Sequence, residues 1–330
     1  MEGLDQVNLT IQQLQQKVAE FEKTVTSTQT AFPVRENLAE PAKLVVPVDT
    51  PLLNRFPTKP GAGLAAAWKE ITSFGSDPST VFYTEGGAPS SRTTVYANRS
   101  ETYRELGLDG GVSGLAIAGG ANFQDQLAIE KRNCILHLKR LEEAALINAS
   151  GSAPEFYGLL AQITTGNGST VRATTGTAAS AVLADLDYIL KGAWDNGGDI
   201  NLLVLRSSES KVISDAITQN AGTSPMRVNI DQQSQITGGF FVNAYISPIN
   251  GRKVELVPDK FHTTGTIIGV AEELPAPIPN QGGQGVYLDV LLDYALSDVP
   301  TANDSVLFRV KRYYTFLMPG RKFCATITGY

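Results

Sequence analysis

The run NFQDQLAIEKRNCILHLKRLEEAALIN, from Asn122 to Asn148, decides how the fold is read. It contains no Gly or Pro. Phe123, Leu127, Cys134, Ile135, Leu138, Leu141 and Ala145 recur at helical spacing, and Ile129, Leu136 and Ile147 widen the apolar face. At 1.5 Å per residue the predicted helix is about 40 Å long, a spine rather than an ordinary packing helix. Ser150-Gly151 and Pro154 stop it.

Upstream of the spine the chain changes texture three times. Leu4, Val7, Ile11, Leu14, Val18, Phe21 and Val25 repeat at spacings of three and four, separated by Gln, Glu and Lys. That heptad stripe is narrow and regular, the pattern of a coiled coil or of a helix that docks on a partner. From Phe32 to Gly63, Pro33, Pro41, Pro47, Pro51, Pro57 and Pro60 predict an extended arm rather than a helix or a central strand. A long hairpin is expected next, with Thr80–Thr84 and Thr93–Ala97 as strands around the turn residues Gly86 to Ser91. Its Thr and Tyr content suits a ribbon that is exposed on its faces and marginal alone. A Gly-rich connection (Gly107 to Gly120) leads into the spine.

Downstream, Thr164 to Pro279 reads as a compact α/β unit. Ala178 to Trp194 is an amphipathic helix, Ile200 to Leu205 a buried strand, and Ser208 to Gln219 a second helix with Ser207 or Ser208 as its N-cap. Short strands are expected at Gly239–Ile246, Val254–Val257 and Thr266–Val270. Long strands resume at Val286–Leu296 and Ser305–Leu317, and Lys322–Thr328 closes the chain.

Composition narrows the function classes. The 330 residues suffice for a sizeable core. With 27 Lys and Arg against 33 Asp and Glu, the net charge is -6, the wrong sign for a protein whose main task is to grip nucleic acid. A container that encloses DNA is not excluded. The first residues show no charged region followed by an apolar run, so no secretion leader is expected. No apolar stretch reaches the ~18–20 residues of a membrane span.

Residues able to carry chemistry are few. The two cysteines, Cys134 and Cys324, lie far apart and read as reduced buried thiols. Of the two histidines, His137 sits mid-helix and reads as a hydrogen-bonded structural residue, and His262 as a solvated loop residue. Neither a nucleophile–His site nor a His-rich metal site is expected. Gly61-Ala62-Gly63-Leu64-Ala65-Ala66 matches a dinucleotide-binding glycine pattern, but Pro57 to Pro60 stand where the buried strand is needed. Glu142-Glu143, and Asp185 with Asp187, read as solvated faces or salt-bridge partners because such spacings point in different directions on a helix. The strip Tyr96 to Arg104 interleaves Glu101 with arginines and reads as a protein–protein contact.

Taken in order, these elements resemble the major capsid proteins of tailed bacteriophages (Caudovirales-type). Pro51-Leu52-Leu53-Asn54-Arg55-Phe56-Pro57, Asn98-Arg99-Ser100, the spine from Gln126 to Glu143, and Arg312-Tyr313-Tyr314-Thr315-Phe316 with Ala325 to Gly329 carry the likeness. The resemblance implies an α+β chain of the Hong Kong 97-like fold. Its parts would be an N-terminal heptad helix (1–31), an N-arm (32–64), an extended E-loop hairpin (65–106), a P-domain with the spine helix (107–163), a compact A-domain (164–285) and closing P-domain strands (286–330).

The implied function is structural and not enzymatic: self-assembly through hexamers and pentamers into an icosahedral virion shell around double-stranded DNA, without sequence-specific binding. Assembly would take place in the host cytoplasm, and scaffold, portal and cement or decoration proteins are implied partners. No cofactor, metal, membrane or catalytic residue is implied. Contacts between subunits are expected at Leu4, Val7, Ile11, Leu14, Val18, Phe21 and Val25 of the heptad stripe. Further contacts are expected at Phe56, Tyr83, Glu85, Arg92, Tyr96, Arg99 and Arg104. Some family members weld subunits through a hairpin lysine. Here no lysine lies between Lys69 and Lys131, so no such cross-link is expected. The rival readings are an encapsulin-type protein compartment and, more distantly, a soluble enzyme.

Overall fold

The structure is a computed structural model that describes residue 13 and residues 46–75, 81–120, 125–220, 242–275 and 283–330. The chain divides at Val46/Pro47, and the second unit, Pro47–Tyr330, is described here. The seven heptad positions Leu4 to Val25 lie outside the described residues.

The spine helix, α3, runs over Gln126–Asn148. Asp125 caps it, its carboxylate accepting the N–H groups of Leu127 and Ala128 at 3.0 Å each. Before it come α1 (Pro51–Arg55), β1 (Thr58–Pro60), β2 (Ala65–Ser73), β3 (Val95–Thr102), β4 (Arg104–Ser113) and α2 (Gly114–Gly120). After it come α4 (Leu159–Gln162), β5 (Thr170–Ala173), α5 (Ala179–Asp195), β6 (Leu202–Leu205), α6 (Ser207–Asn220), β7 (Ala244–Ile246), β8 (Lys253–Pro258) and β9 (Thr266–Val270). Two 13-residue strands, β10 (Tyr287–Val299) and β11 (Ser305–Leu317), and the short β12 (Ala325–Thr328) complete the chain.

These strands form three sheets, in the orders β1-β10-β11-β4, β5-β12-β9-β6-β8-β7 and β2-β3. The six-stranded sheet is covered on both faces, which explains the unbroken apolar run of β6. Leu203 and Leu205 face one core with Val182, Leu186 and Ile189 of α5 and Ile213 of α6. Leu202 and Val204 face another, shared with Leu52, Phe56, Leu146, Ile147, Phe156, Tyr314 and Phe316. The spine serves both halves of the molecule. Its Cys134 and Leu138 pack on Phe308 and Val310 of β11, while Leu146 and Ile147 enter the core at the junction of the two sheets.

Several expectations are corrected. Residues 81–84 carry no strand; the hairpin ladder is Ala65–Ser73 against Val95–Thr102, with Ala66, Trp68 and Glu70 on its less exposed face. The Gly-rich stretch 107–120 is not a connection but the strand β4 and the helix α2. Gly110 lets β4 approach β11, since a Cβ there would lie 2.6 Å from the Phe308 ring. The arm contains a helical turn, α1, with Pro51 in its first turn, where a missing N–H costs nothing. Residues 286–330 do not form one unit. β12 leaves the four-stranded sheet and pairs between β5 and β9, antiparallel to β9 and parallel to β5.

Candidate inter-subunit surfaces and the buried polar junction

The β2–β3 ribbon owes its position to short-range register: Trp68 faces Arg99, Lys69 faces Asn98 and Ile71 faces Tyr96. On one face Glu70 accepts the Trp68 indole N–H at 2.8 Å and the Arg99 Nε–H at 3.2 Å. No third strand pairs with this ribbon among the described residues. Its apolar side chains are left outside: Leu64 is 89% exposed, Ile71 55%, Phe74 61%, Val81 76% and Tyr96 61%. Burying such a side chain is worth about 1.5–3 kcal/mol, and none of these is covered by the described residues.

Of the fourteen expected contact residues, the seven that are described fall into three groups. Tyr83, Glu85, Arg92, Tyr96 and Arg99 are exposed on the ribbon and its 81–94 segment, with Arg92 5.9 Å over the Phe74 ring. Arg104 is half-buried and belongs to β4, opposite Tyr314, rather than to the hairpin. Phe56 is corrected: it is 3% exposed and stacks on Phe316 at 5.8 Å, so it is core. Lys69 lies exposed on β2, so the ribbon does carry a lysine and the ground for expecting no cross-link falls.

Glu142, Glu143 and Asp185, read as solvated or salt-bridged, are buried, Glu142 and Asp185 each in an ion pair. His262, read as a solvated loop residue, is buried too, and His137, read as structural, is exposed on the spine. Glu142 accepts from the Tyr294 hydroxyl and, at 3.1 Å, from Arg312 Nη1. The Arg312 guanidinium stacks between Tyr294 and Tyr314 and pairs with the exposed Asp293 at 3.2 Å. Burial raises Glu142 above the ordinary carboxyl value, against the pull of Arg312.

Glu143 accepts the N–H groups of Leu52 and Leu53 at 2.7 and 2.8 Å, fixing the start of α1. Arg55 fastens the other end of α1, pairing with Glu272 and, at 2.8 Å, with Glu255. Burial pushes the Asp185 carboxyl up, but the Thr175 N–H, Arg172 and the Thr174 and Thr175 hydroxyls together hold it below its ordinary value. Burial lowers the His262 imidazole and pushes the Cys324 thiol up to about 12, far from a nucleophile's range.

A signal for two of the missed residues is present in the sequence. Leu138, Glu142 and Leu146 form one i,i+4 row, and Phe308, Val310, Arg312, Tyr314 and Phe316 one inward-facing strand stripe. A carboxylate and a guanidinium each interrupt an otherwise apolar face, and they meet. The glycine run Gly61–Ala66 links β1 to β2, with Gly61 pressed against Tyr103 and Asp289, and no helix follows it. Among the described residues no His, Cys, Asp and Glu cluster is arranged to hold a metal ion, and no helix is long and apolar enough to cross a membrane.

Comparisons with known proteins agree with this architecture. The capsid of a native GTA particle superposes with a TM-score of 0.64 at 13% identity, covering 93% of this chain and 99% of that one. The cyanophage A-1(L) capsid gives 0.62 at 13% identity, covering 93% and 97%. The SrpI encapsulin of Synechococcus elongatus PCC 7942 gives 0.58 at 16% identity, covering 90% and 96%. No curated protein sequence matches. The fold is Hong Kong 97-like. The model of the SU10 major capsid protein family matches residues 20–277, more than three quarters of the sequence, and the chain therefore belongs to that family of phage coat proteins.

Proposed function

We propose that copies of this chain assemble as hexamers and pentamers into an icosahedral shell around double-stranded phage DNA. The shell would be built in the host cytoplasm, with scaffold, portal and decoration proteins as its partners. The observation that carries the reading is the two-stranded ribbon, whose Leu64, Ile71, Val81 and Tyr96 are exposed in the single chain. A subunit that leaves such surface open is completed by its neighbours. The net charge of -6 suits a wall that encloses DNA without gripping it.

Negative-stain electron microscopy of the expressed chain tests the assembly. Closed shells or ring-shaped capsomers are expected, and a discrete monomer or dimer at high concentration sinks the reading. The likeness to the SrpI encapsulin supports a second reading, a protein compartment. Nuclease-protected DNA in native particles is expected for the phage shell, and particles without it favour the compartment.

A further inference from the structure

Asp259 is 2% exposed and lies in the turn after β8, where it approaches Glu143 of the spine. Its Oδ1 accepts the Phe261 N–H at 2.6 Å, while Oδ2 is buried with no protein donor. Both oxygens of Glu143 already accept N–H groups from α1. Two carboxyl groups in hydrogen-bond reach, closed off from water, form a bond only if one carries a proton.

We propose that this pair is a proton-operated latch, in which one proton shared by Glu143 and Asp259 fastens α1, and the chain entering through it, to the spine. Docking α1 takes up one proton from solution, and releasing α1 returns it. Burial, then the Asp259 carboxyl, hold Glu143 up to about 8, so the docked pair keeps its proton at neutrality.

The charged and titratable groups around the pair leave that proton its task. From β11 the buried Tyr314 faces Glu143, and Arg312 is committed to Glu142. On the spine Arg140 lies 5.5 Å over the Phe261 ring and Lys139 faces Tyr294. From the Asp259 turn, Lys260 is exposed. His262 is buried near Asp259, with Glu209 and Arg206 of the α6 entry behind it. On α1, Arg55 is held by Glu272 and Glu255. No cation in this set is paired with Glu143 or Asp259.

Amide hydrogen exchange on the full-length chain, corrected for intrinsic rates, tests the latch. Protection of residues 50–56 is expected to fall about tenfold per pH unit between about pH 5 and 8 and to level off above it. In Asp259→Asn the amide donates to Glu143 without a proton. The slope is then expected to end at a lower pH than in the wild type, since burial alone still holds Glu143 up, and protection at pH 9 to exceed the wild type's. A flat wild-type profile overturns the proposal, as does a slope in Asp259→Asn that extends to the same pH as the wild type's, because Asp259 then takes no part in holding the proton. Should Asp259→Asn not fold, infrared difference spectra of the wild type and Glu143→Gln decide. A protonated carboxyl band present at pH 6, lost by pH 9 and missing from the variant supports the latch; its absence at pH 6 overturns it.

Discussion

At Arg312 a full charge sits 4% exposed, between two tyrosine rings and against Glu142. Breaking a buried pair leaves the remaining charge without compensation, which costs about 3–5 kcal/mol. Arg312→Leu is therefore expected to lower the unfolding free energy by that amount, read from the shift of the urea midpoint. The double variant Glu142→Gln/Arg312→Leu should lose much less than the sum of the single losses, as measured in a double-mutant cycle. His262 sets an acid limit. Its folded value is lowered by burial, so the unfolded chain binds a proton that the folded chain refuses as pH falls below about 6.5. Stability should drop through that window in the wild type and drop less in His262→Gln, measured by denaturation at pH 5 and 7. Glu143 acts with the opposite sign. Its folded value is raised, so its contribution is complete below about pH 4.5 and is lost progressively as pH rises to about 8.

Among the elements, the ribbon and the β4 strand separate assembly from stability. Ile71 and Tyr96 face each other across β2 and β3 with both side chains exposed. Replacing both with Asp is expected to change the chain's own stability little, and to abolish shells in electron microscopy while the far-ultraviolet dichroism stays unchanged. Gly110 behaves oppositely. Gly110→Val drives a Cβ to 2.6 Å from the fully buried Phe308 ring and is expected to cost about 1–3 kcal/mol. That loss is read as a lowered urea midpoint. The periodicity of the spine was legible because a 23-residue helix repeats its pattern six times over. The hairpin register was not, because the Thr- and Tyr-containing run after residue 80 satisfies the strand pattern as well as the Ala65–Ser73 run before it. Only pairing across the ribbon chooses between them.

For the molecule as a whole, the last strand is the point of closure. β12 supplies hydrogen bonds to β5 on one side and β9 on the other, and Ala325 and Ile327 complete the core under α5. Deleting residues 324–330 leaves two unpaired edges and an open core in the six-stranded sheet. Such a chain is expected to lose resistance to limited proteolysis between residues 200 and 270 and to appear in the insoluble fraction.

What the sequence alone determined follows from local periodicity. It contains the spine, the two covering helices, the long C-terminal strands and the capsid resemblance that the family match establishes. Only the tertiary structure decided that β12 crosses into the other sheet, that Phe56 is core, and that Glu142, Glu143 and Asp185 are buried while His137 is not. Each of those outcomes depends on a partner far along the chain: Phe316 for Phe56, Arg312 for Glu142, α1 for Glu143. A residue's own neighbours in sequence specify its face on a helix or strand; they do not specify what that face meets.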